Sequence, residues 1–121
     1  MALPAAWYNV RGLSTAVITD EGQLDELVGR IVAAVHPLRV LMFGSAARGQ
    51  AGEHSDVDLL VVMPEGTHRL KTMRYLHTKL FRIPLAVDII VATPSDLERH
   101  RDNPGLIYRT ILEEGREVYA A

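Results

Sequence analysis

The sequence contains no cysteine and no long hydrophobic run, and aromatic residues make up only 6% of its 121 residues. The absence of cysteine excludes a disulfide framework and any thiolate metal site. No apolar stretch approaches the roughly 20 residues that a membrane-spanning helix needs, and no signal-peptide pattern is present. We therefore expect a cytoplasmic protein that does not enter a membrane.

An excess of positive charge is missing as well. The chain has 13 basic and 15 acidic residues, which gives a formal net charge of −2 at pH 7. A protein with this balance does not attract nucleic acid through its overall charge, so we expect no stable nucleic-acid binding. The length suits one domain with a single core. Residues 1–13 are predicted to form a flexible arm of that domain.

The most informative stretch is residues 40–62, where two apolar runs flank a polar, glycine-rich segment. The first run, Val40 to Phe43, is short, continuous and rich in branched or aromatic residues. The second run, Leu59 to Met63, has the same character. Runs of this kind predict buried strands, so the polar segment connects two strands of one sheet.

The residues that follow the first strand favour phosphate binding. Gly44 lets the backbone turn and approach a ligand closely. Ser45 can cap the turn after it, which leaves free N–H groups that attract an anion. Arg48 adds a planar cation beside them. The alternative is a plain strand-to-loop turn without a ligand.

Three carboxylates point to a metal site. Asp56 and Asp58 are two residues apart, so in a strand they project from one face, where their like charges repel unless a cation lies between them. Hard divalent cations such as Mg²⁺ prefer oxygen ligands of this kind. Asp88 lies inside an apolar run, where a lone carboxylate is expensive to desolvate, and a shared metal would be its partner. The alternative for Asp56 and Asp58 is turn chemistry.

The rest of the chain predicts the elements of an α/β domain. An edge strand is expected within residues 14–19 and a helix over residues 20–36, capped by Asp20 and ended by Pro37. Strands are expected over residues 85–92 and 117–119. Two further helices should begin at Ser95, with Asp96 and Glu98 in its first turn, and at Pro104, the latter ending at Gly115.

A helix predicted over residues 67–82 carries basic residues and no acid. Its cations are Arg69, Lys71, Arg74, Lys79 and Arg82. Positive charge without a balancing negative charge indicates an anionic neighbour, either a triphosphate or an acidic partner surface. The alternative is a solvated basic face.

Together these motifs resemble the nucleotidyltransferase superfamily of the DNA polymerase beta type. The resemblance consists of Gly44-Ser45, ten intervening residues, Asp56-Val57-Asp58, and Asp88 in a later strand. The Arg48-Gly49 pair and the short length make the chain similar to the minimal nucleotidyltransferases, the MNT proteins. The resemblance covers about residues 38–92 and implies the minimal nucleotidyltransferase fold, an α/β (α+β) domain with a small mixed sheet flanked by helices.

The resemblance also implies a reaction. A nucleotide would be transferred from a nucleoside triphosphate, ATP above all, and two Mg²⁺ ions would serve as cofactors. Asp56 and Asp58 would hold the metal, and Asp88 would bind the second ion and help to deprotonate the attacking hydroxyl. Gly44, Ser45 and Arg48 would bind the phosphates.

The acceptor is expected to belong to a partner, because only about thirty residues follow Ala92. The MNT resemblance implies the antitoxin half of a HEPN–MNT toxin–antitoxin pair, which transfers AMP to a tyrosine of the HEPN ribonuclease toxin within a hetero-oligomer. Two alternatives stay open. The chain could neutralise the toxin by binding alone, or it could be a small-molecule adenylyltransferase built from two chains.

Overall fold

The computed structural model of the chain describes residues 21–44, 57–80, 86–103 and 107–121. Several predictions lie outside these residues, namely the arm, the strand within residues 14–19, the cap Asp20, Arg82 and the helix start at Pro104. Ser45, Arg48 and Asp56 of the candidate site also lie outside them.

The described residues form four helices and four strands. In chain order they are α1 (Glu21–Val35), β1 (Arg39–Phe43), β2 (Val57–Val62), α2 (Arg69–Leu80), β3 (Val87–Ala92), α3 (Pro94–His100), α4 (Ile107–Glu114) and β4 (Arg116–Ala120). None of these helices is long and apolar enough to cross a bilayer. The predicted terminal strand is confirmed as β4.

The four strands form one mixed sheet in the order β3-β2-β1-β4. β1 runs antiparallel to both of its neighbours, whereas β2 and β3 are parallel. A parallel pair needs a crossover connection, and α2 provides it by leading from the end of β2 back to the start of β3. The predicted small mixed sheet flanked by helices is confirmed.

The two faces of the sheet bury separate hydrophobic clusters, because successive side chains of a strand point to opposite faces. α1 and α2 cover the larger cluster, which includes Met42, Leu59 and Val61. α3 and α4 cover the smaller one, which includes Phe43 and Leu60. The buried residues of α1 recur at helical spacing and form one apolar face, which consists of Leu24, Leu27, Val28, Ile31 and Val32.

Two helix ends follow their sequence signals. α1 stops at Val35, and His36 takes a positive φ of 49° while its amide donates to the Val32 carbonyl at 3.0 Å. α4 stops before Gly115, whose amide donates to the Ile111 carbonyl at 2.8 Å. A methyl group added at Gly115 would overlap with that carbonyl oxygen, so glycine is required at this close approach.

The start of α3 differs from the prediction, because its N-cap is Thr93 and not Ser95. Pro94 fits the first helical position and disfavours helix in the residue before it, so the cap falls on Thr93. The Thr93 hydroxyl accepts from the Asp96 amide at 3.3 Å, and Asp96 accepts from the Thr93 amide at 3.0 Å. Asp96 therefore lies in the first turn as predicted, and Glu98 lies beyond it.

Candidate active site

One end of the sheet collects the candidate residues that the structure describes. Because β1 is antiparallel to β2 and β3 is parallel to it, the last residue of β1 meets the first residues of β2 and β3. Gly44 directly follows β1, and Asp58 and Asp88 each occupy the second position of their strand. We call this the acidic end, defined by Gly44, Asp58 and Asp88.

The strand register brings the two carboxylates side by side. Asp58 is the register partner of Asp88 in the parallel pair and of Phe43 in the antiparallel pair. Register partners point to the same face of a sheet. Both carboxylates therefore share the face that α3 and α4 cover, at the end where the strands begin.

Gly44 and Asp58 are in close contact. Gly44 has a φ of 76°, in the left-handed region that L side chains rarely adopt. A methyl group at Gly44 would overlap with Oδ2 of Asp58. The carboxylate thus occupies the space that a side chain would fill, so glycine is needed both for the turn and for the placement of Asp58.

Asp88 differs from the prediction in its burial. We expected a buried carboxylate at this position, but Asp88 is exposed, whereas the next residue, Ile89, is buried. The reason is that β3 lies at the edge of the sheet and Asp88 lies near its open beginning. A cation at Asp88 is therefore supported by the position of this residue beside Asp58, and not by the cost of burying its carboxylate.

The described part of the acidic end fits a divalent cation. It offers two adjacent carboxylates on one face, which are hard oxygen ligands whose repulsion a cation would relieve. Asp56, the third predicted ligand, lies outside the described residues. Within residues 21–44, 57–80, 86–103 and 107–121, no group of three or more histidine, cysteine, aspartate or glutamate residues could hold a metal.

The cations of α2 divide between the two ends of the sheet. Arg69, in the first turn, donates to Asp96 at 2.6 Å, and Asp96 follows the end of β3 that lies opposite the acidic end. The last turn of α2 leads back towards the acidic end. It carries Lys79, whose Nζ lies 5.3 Å from the ring centre of Tyr75. Arg69 is therefore unsuited to a triphosphate at the acidic end.

Asp96 is a buried acid that belongs to the fold and not to the site. Burial alone would raise its pKa, but the hydrogen bond from the Thr93 amide and then that from Arg69 outweigh burial and lower it. Nearby, hydrogen bonds from the Ser95 hydroxyl and then from its amide lower the pKa of Glu65. The Thr93-Pro94-Ser95-Asp96 pattern of a capping box could have revealed this role.

The comparison with protein families identifies the chain. Residues 24–118 match the nucleotidyltransferase domain family. The chain belongs to this family. The matched range contains Gly44, Asp58 and Asp88, so the acidic end lies within the family's domain. The predicted nucleotidyltransferase domain is confirmed, and membership of the MNT group stays a prediction.

One solved structure agrees with this fold, and a second was found at a lower score. A protein from Sulfolobus solfataricus, provisionally assigned as a nucleotidyltransferase, superposes with a TM-score of 0.51 at 23% identity, over 82% of this chain and 84% of that chain. A toxin-antitoxin structure with AMP-PNP has a TM-score of 0.48 at 17% identity, over 79% of this chain and 73% of that chain. No curated protein sequence matches the chain. The pairing with a HEPN toxin stays a prediction.

Proposed function

We propose that this nucleotidyltransferase transfers AMP from ATP to a tyrosine of a partner HEPN ribonuclease toxin and thereby acts as its antitoxin. The observation that carries the proposal is the register pairing of Asp58 with Asp88 beside Gly44. Family membership supports nucleotidyl transfer. The choice of a HEPN tyrosine as acceptor rests on the resemblance to the MNT proteins, which the Arg48-Gly49 pair carries.

The proposed chemistry assigns different tasks to the two described carboxylates. Asp56, Asp58 and Asp88 would hold two Mg²⁺ ions, which when bound stabilise negative charge on the entering and leaving oxygens. Asp58 is half-buried against Gly44, so its position is fixed before substrate binds. Asp88 is exposed, so an incoming acceptor can reach it.

The proposed transfer forms one bond to phosphorus and breaks another. The tyrosine oxygen forms a bond to the α-phosphorus, and the bond from that phosphorus to the pyrophosphate oxygen breaks. Asp88 accepts the hydroxyl proton, and pyrophosphate leaves with the electron pair of the broken bond. The backbone after Gly44, together with Ser45 and Arg48, would bind the phosphates through N–H groups and a guanidinium.

The decisive experiment follows the label from α-³²P-ATP, with Mg²⁺, to the protein encoded by the neighbouring gene. We expect labelled tyrosine with the wild type and a loss of at least about 100-fold in Asp58→Asn and in Asp88→Asn. Asp102→Asn is the matched control, because Asp102 is also exposed but lies in the turn after α3. It should leave the rate unchanged. Full transfer by Asp88→Asn would refute the role of that residue.

Other outcomes would select the alternatives. If no label appears while Asp58→Asn still binds and neutralises the toxin, the chain is an antitoxin that acts by contact alone. If label appears on a hydroxylated small molecule without any toxin, the chain is a small-molecule adenylyltransferase. A rise in melting temperature with ATP and Mg²⁺ that is lost in Asp58→Asn would separate both enzymes from the contact-only antitoxin.

A further inference from the structure

The side of β3 that faces away from β2 has no strand partner among the residues that the structure describes. Among the described strands β3 has one neighbour, β2. The carbonyls of Ala86 and Ala92, at the two ends of β3, each accept a hydrogen bond of 2.8 Å from the β2 side. Alternate residues of a strand direct their N–H and C=O to opposite sides. The amides and carbonyls of Ile89 and Val91 therefore point away from β2 and can pair with another strand.

An apolar groove runs beside this open edge. It has a volume of about 280 Å³ and is lined by Arg69, Leu70, Met73, Ile89, Ile90 and Val91. Leu70 is 45% exposed, so its apolar side chain is accessible at the groove. The groove and the outer edge of β3 share Ile89 and Val91, so they form one continuous surface along this strand.

The helix that borders the groove is positively charged. Residues 69–80 contain no acid, although the chain as a whole has a net charge of −2. Arg74 and His77 follow Leu70 after four and seven residues, so they lie on the same stripe of the helix, and both are exposed. Of the two arginines within α2, Arg69 is bound to Asp96, whereas Arg74 is exposed and available to a partner.

We propose that the open edge of β3 and the Leu70–His77 stripe of α2 form a docking surface for an extended, acidic segment of a partner protein, which adds a strand to β3. Backbone hydrogen bonds to Ile89 and Val91 would supply affinity, the groove would bind alternate apolar side chains, and Arg74 would pair with acids. Ile89 directly follows Asp88, but the side chains of this surface lie on the face of the sheet opposite the two carboxylates. The proposal does not depend on the proposed reaction.

Two other occupants fit less well. A second copy that paired edge to edge would bring two positively charged α2 helices together, and like charges oppose such a contact. A nucleic acid would match the charge of Arg74, but it would leave the outward carbonyls of Ile89 and Val91 facing phosphates. An extended peptide satisfies both the amides and the carbonyls.

The test measures binding of a fluorescein-labelled peptide, Glu-Val-Glu-Ile-Glu-Val-Glu, to the full-length protein. We expect saturable binding, with amide NMR shifts concentrated at Leu70, Ile89 and Val91. Arg74→Glu should weaken binding by about tenfold or more, and Leu70→Ser should weaken it with the charge intact. Arg99→Glu is the matched control, because Arg99 is also exposed but lies on α3, and it should bind like the wild type.

A second peptide tests strand addition itself. It has the same side chains, but all of its backbone amides are N-methylated, so it cannot donate to the edge carbonyls, and its affinity should fall about tenfold or more. Equal binding of the two peptides, or shifts located away from β3, would overturn the proposal. So would equal losses in Arg74→Glu and Arg99→Glu, no binding at millimolar peptide, or tighter Arg74-dependent binding of a 12-nucleotide RNA.

Discussion

β2 and β3 have nearly the same sequence, Val57-Asp58-Leu59-Leu60-Val61-Val62 and Val87-Asp88-Ile89-Ile90-Val91-Ala92, and they pair in parallel without an offset. Their surroundings nevertheless differ. β2 has a strand on each side, whereas β3 has one strand neighbour among the described residues. Asp58 is half-buried and Asp88 is exposed. The residue pattern thus determines which face a side chain takes, and the place of the strand in the sheet determines its burial.

The largest expected difference between the two strands concerns their hydrophobic side chains. Leu60 is fully buried, whereas its register partner Ile90 is half-buried. Leu60→Ala should lower the free energy of unfolding by about 3–4 kcal/mol and Ile90→Ala by about 1–2 kcal/mol. Urea unfolding measures both values. If both substitutions lower the free energy of unfolding equally, the side chain of Ile90 is as buried in solution as that of Leu60.

The next prediction tests the contact that distinguishes Asp58 from Asp88. Gly44 and Gly66 both have positive φ values, 76° and 89°, but nothing lies within 4 Å of a side chain added at Gly66. Gly66→Ala should therefore cost about 1 kcal/mol of unfolding free energy, and Gly44→Ala about 2–3 kcal/mol because it also displaces the carboxylate.

A double-mutant cycle isolates that contact. In the Asp58→Ala background, the overlap with the carboxylate disappears, so Gly44→Ala should cost no more than Gly66→Ala does in the wild type. If the extra cost persists without the carboxylate, backbone strain and not Asp58 makes glycine necessary at this position.

A smaller effect concerns Asp96, which lies just beyond the end of β3 and accepts hydrogen bonds from Thr93 and Arg69. The pKa of Asp96 is lowered in the folded protein. Its stabilising contribution is therefore present above the ordinary aspartate value of about 3.9 and is lost as pH falls below about 4. Asp96→Asn keeps an acceptor for Thr93 but loses the charge that faces Arg69, and it should cost about 1–2 kcal/mol at pH 7.

The pH dependence of the free energy of unfolding provides the control for the role of Asp96. Between pH 5 and pH 3, the free energy of unfolding should fall less in Asp96→Asn than in the wild type. Some slope should remain, because the pKa of Glu65 is lowered as well. Glu98→Gln, on the exposed side of α3, should keep the wild-type slope. Identical slopes in all three proteins would contradict the assignment of Asp96.

The smallest expected difference between the two strands is in the hydrogen-exchange rates of their backbone amides, which can be measured without any substitution. In β3 the amides of Ile89 and Val91 point outward and should exchange quickly, whereas those of Asp88 and Ile90 face β2 and should be protected. The amides of β2 should all be slow, because this strand is paired on both sides. Uniform protection along β3 would show that its outer side is occupied.

Local signals in the sequence predicted most of the fold. The apolar face of α1 and its end before Pro37 depend on residues close together in the chain, and so does the end of α4 at Gly115. The cap of α3 was misplaced because Thr93 and Ser95 are both good caps, and only the fit of Pro94 at the first helical position separates them.

The candidate site could be predicted only as far as local signals in the sequence allow. Gly44, Asp58 and Asp88 could be selected from the motif, and the structure brings all three to one end of the sheet. The exposure of Asp88 could not be predicted, because it depends on β3 being an edge strand, and strand order is set by pairing between distant segments. Because β3 lies at the edge of the described sheet, the carboxylate of Asp88 stays in water, and the prediction that it is buried was wrong.

The division of the hydrophobic residues between two faces has a consequence for how this protein can evolve. Asp58 and Asp88 lie on the face with the smaller cluster, whereas α1 and α2 pack on the opposite face. Substitutions that repack α1 against α2 can alter thermal tolerance while the carboxylates keep their register. Substitutions in α3 and α4 can change the surroundings of the carboxylates without disturbing that packing. In this fold, thermal stability and the surroundings of the two carboxylates can therefore change independently of one another.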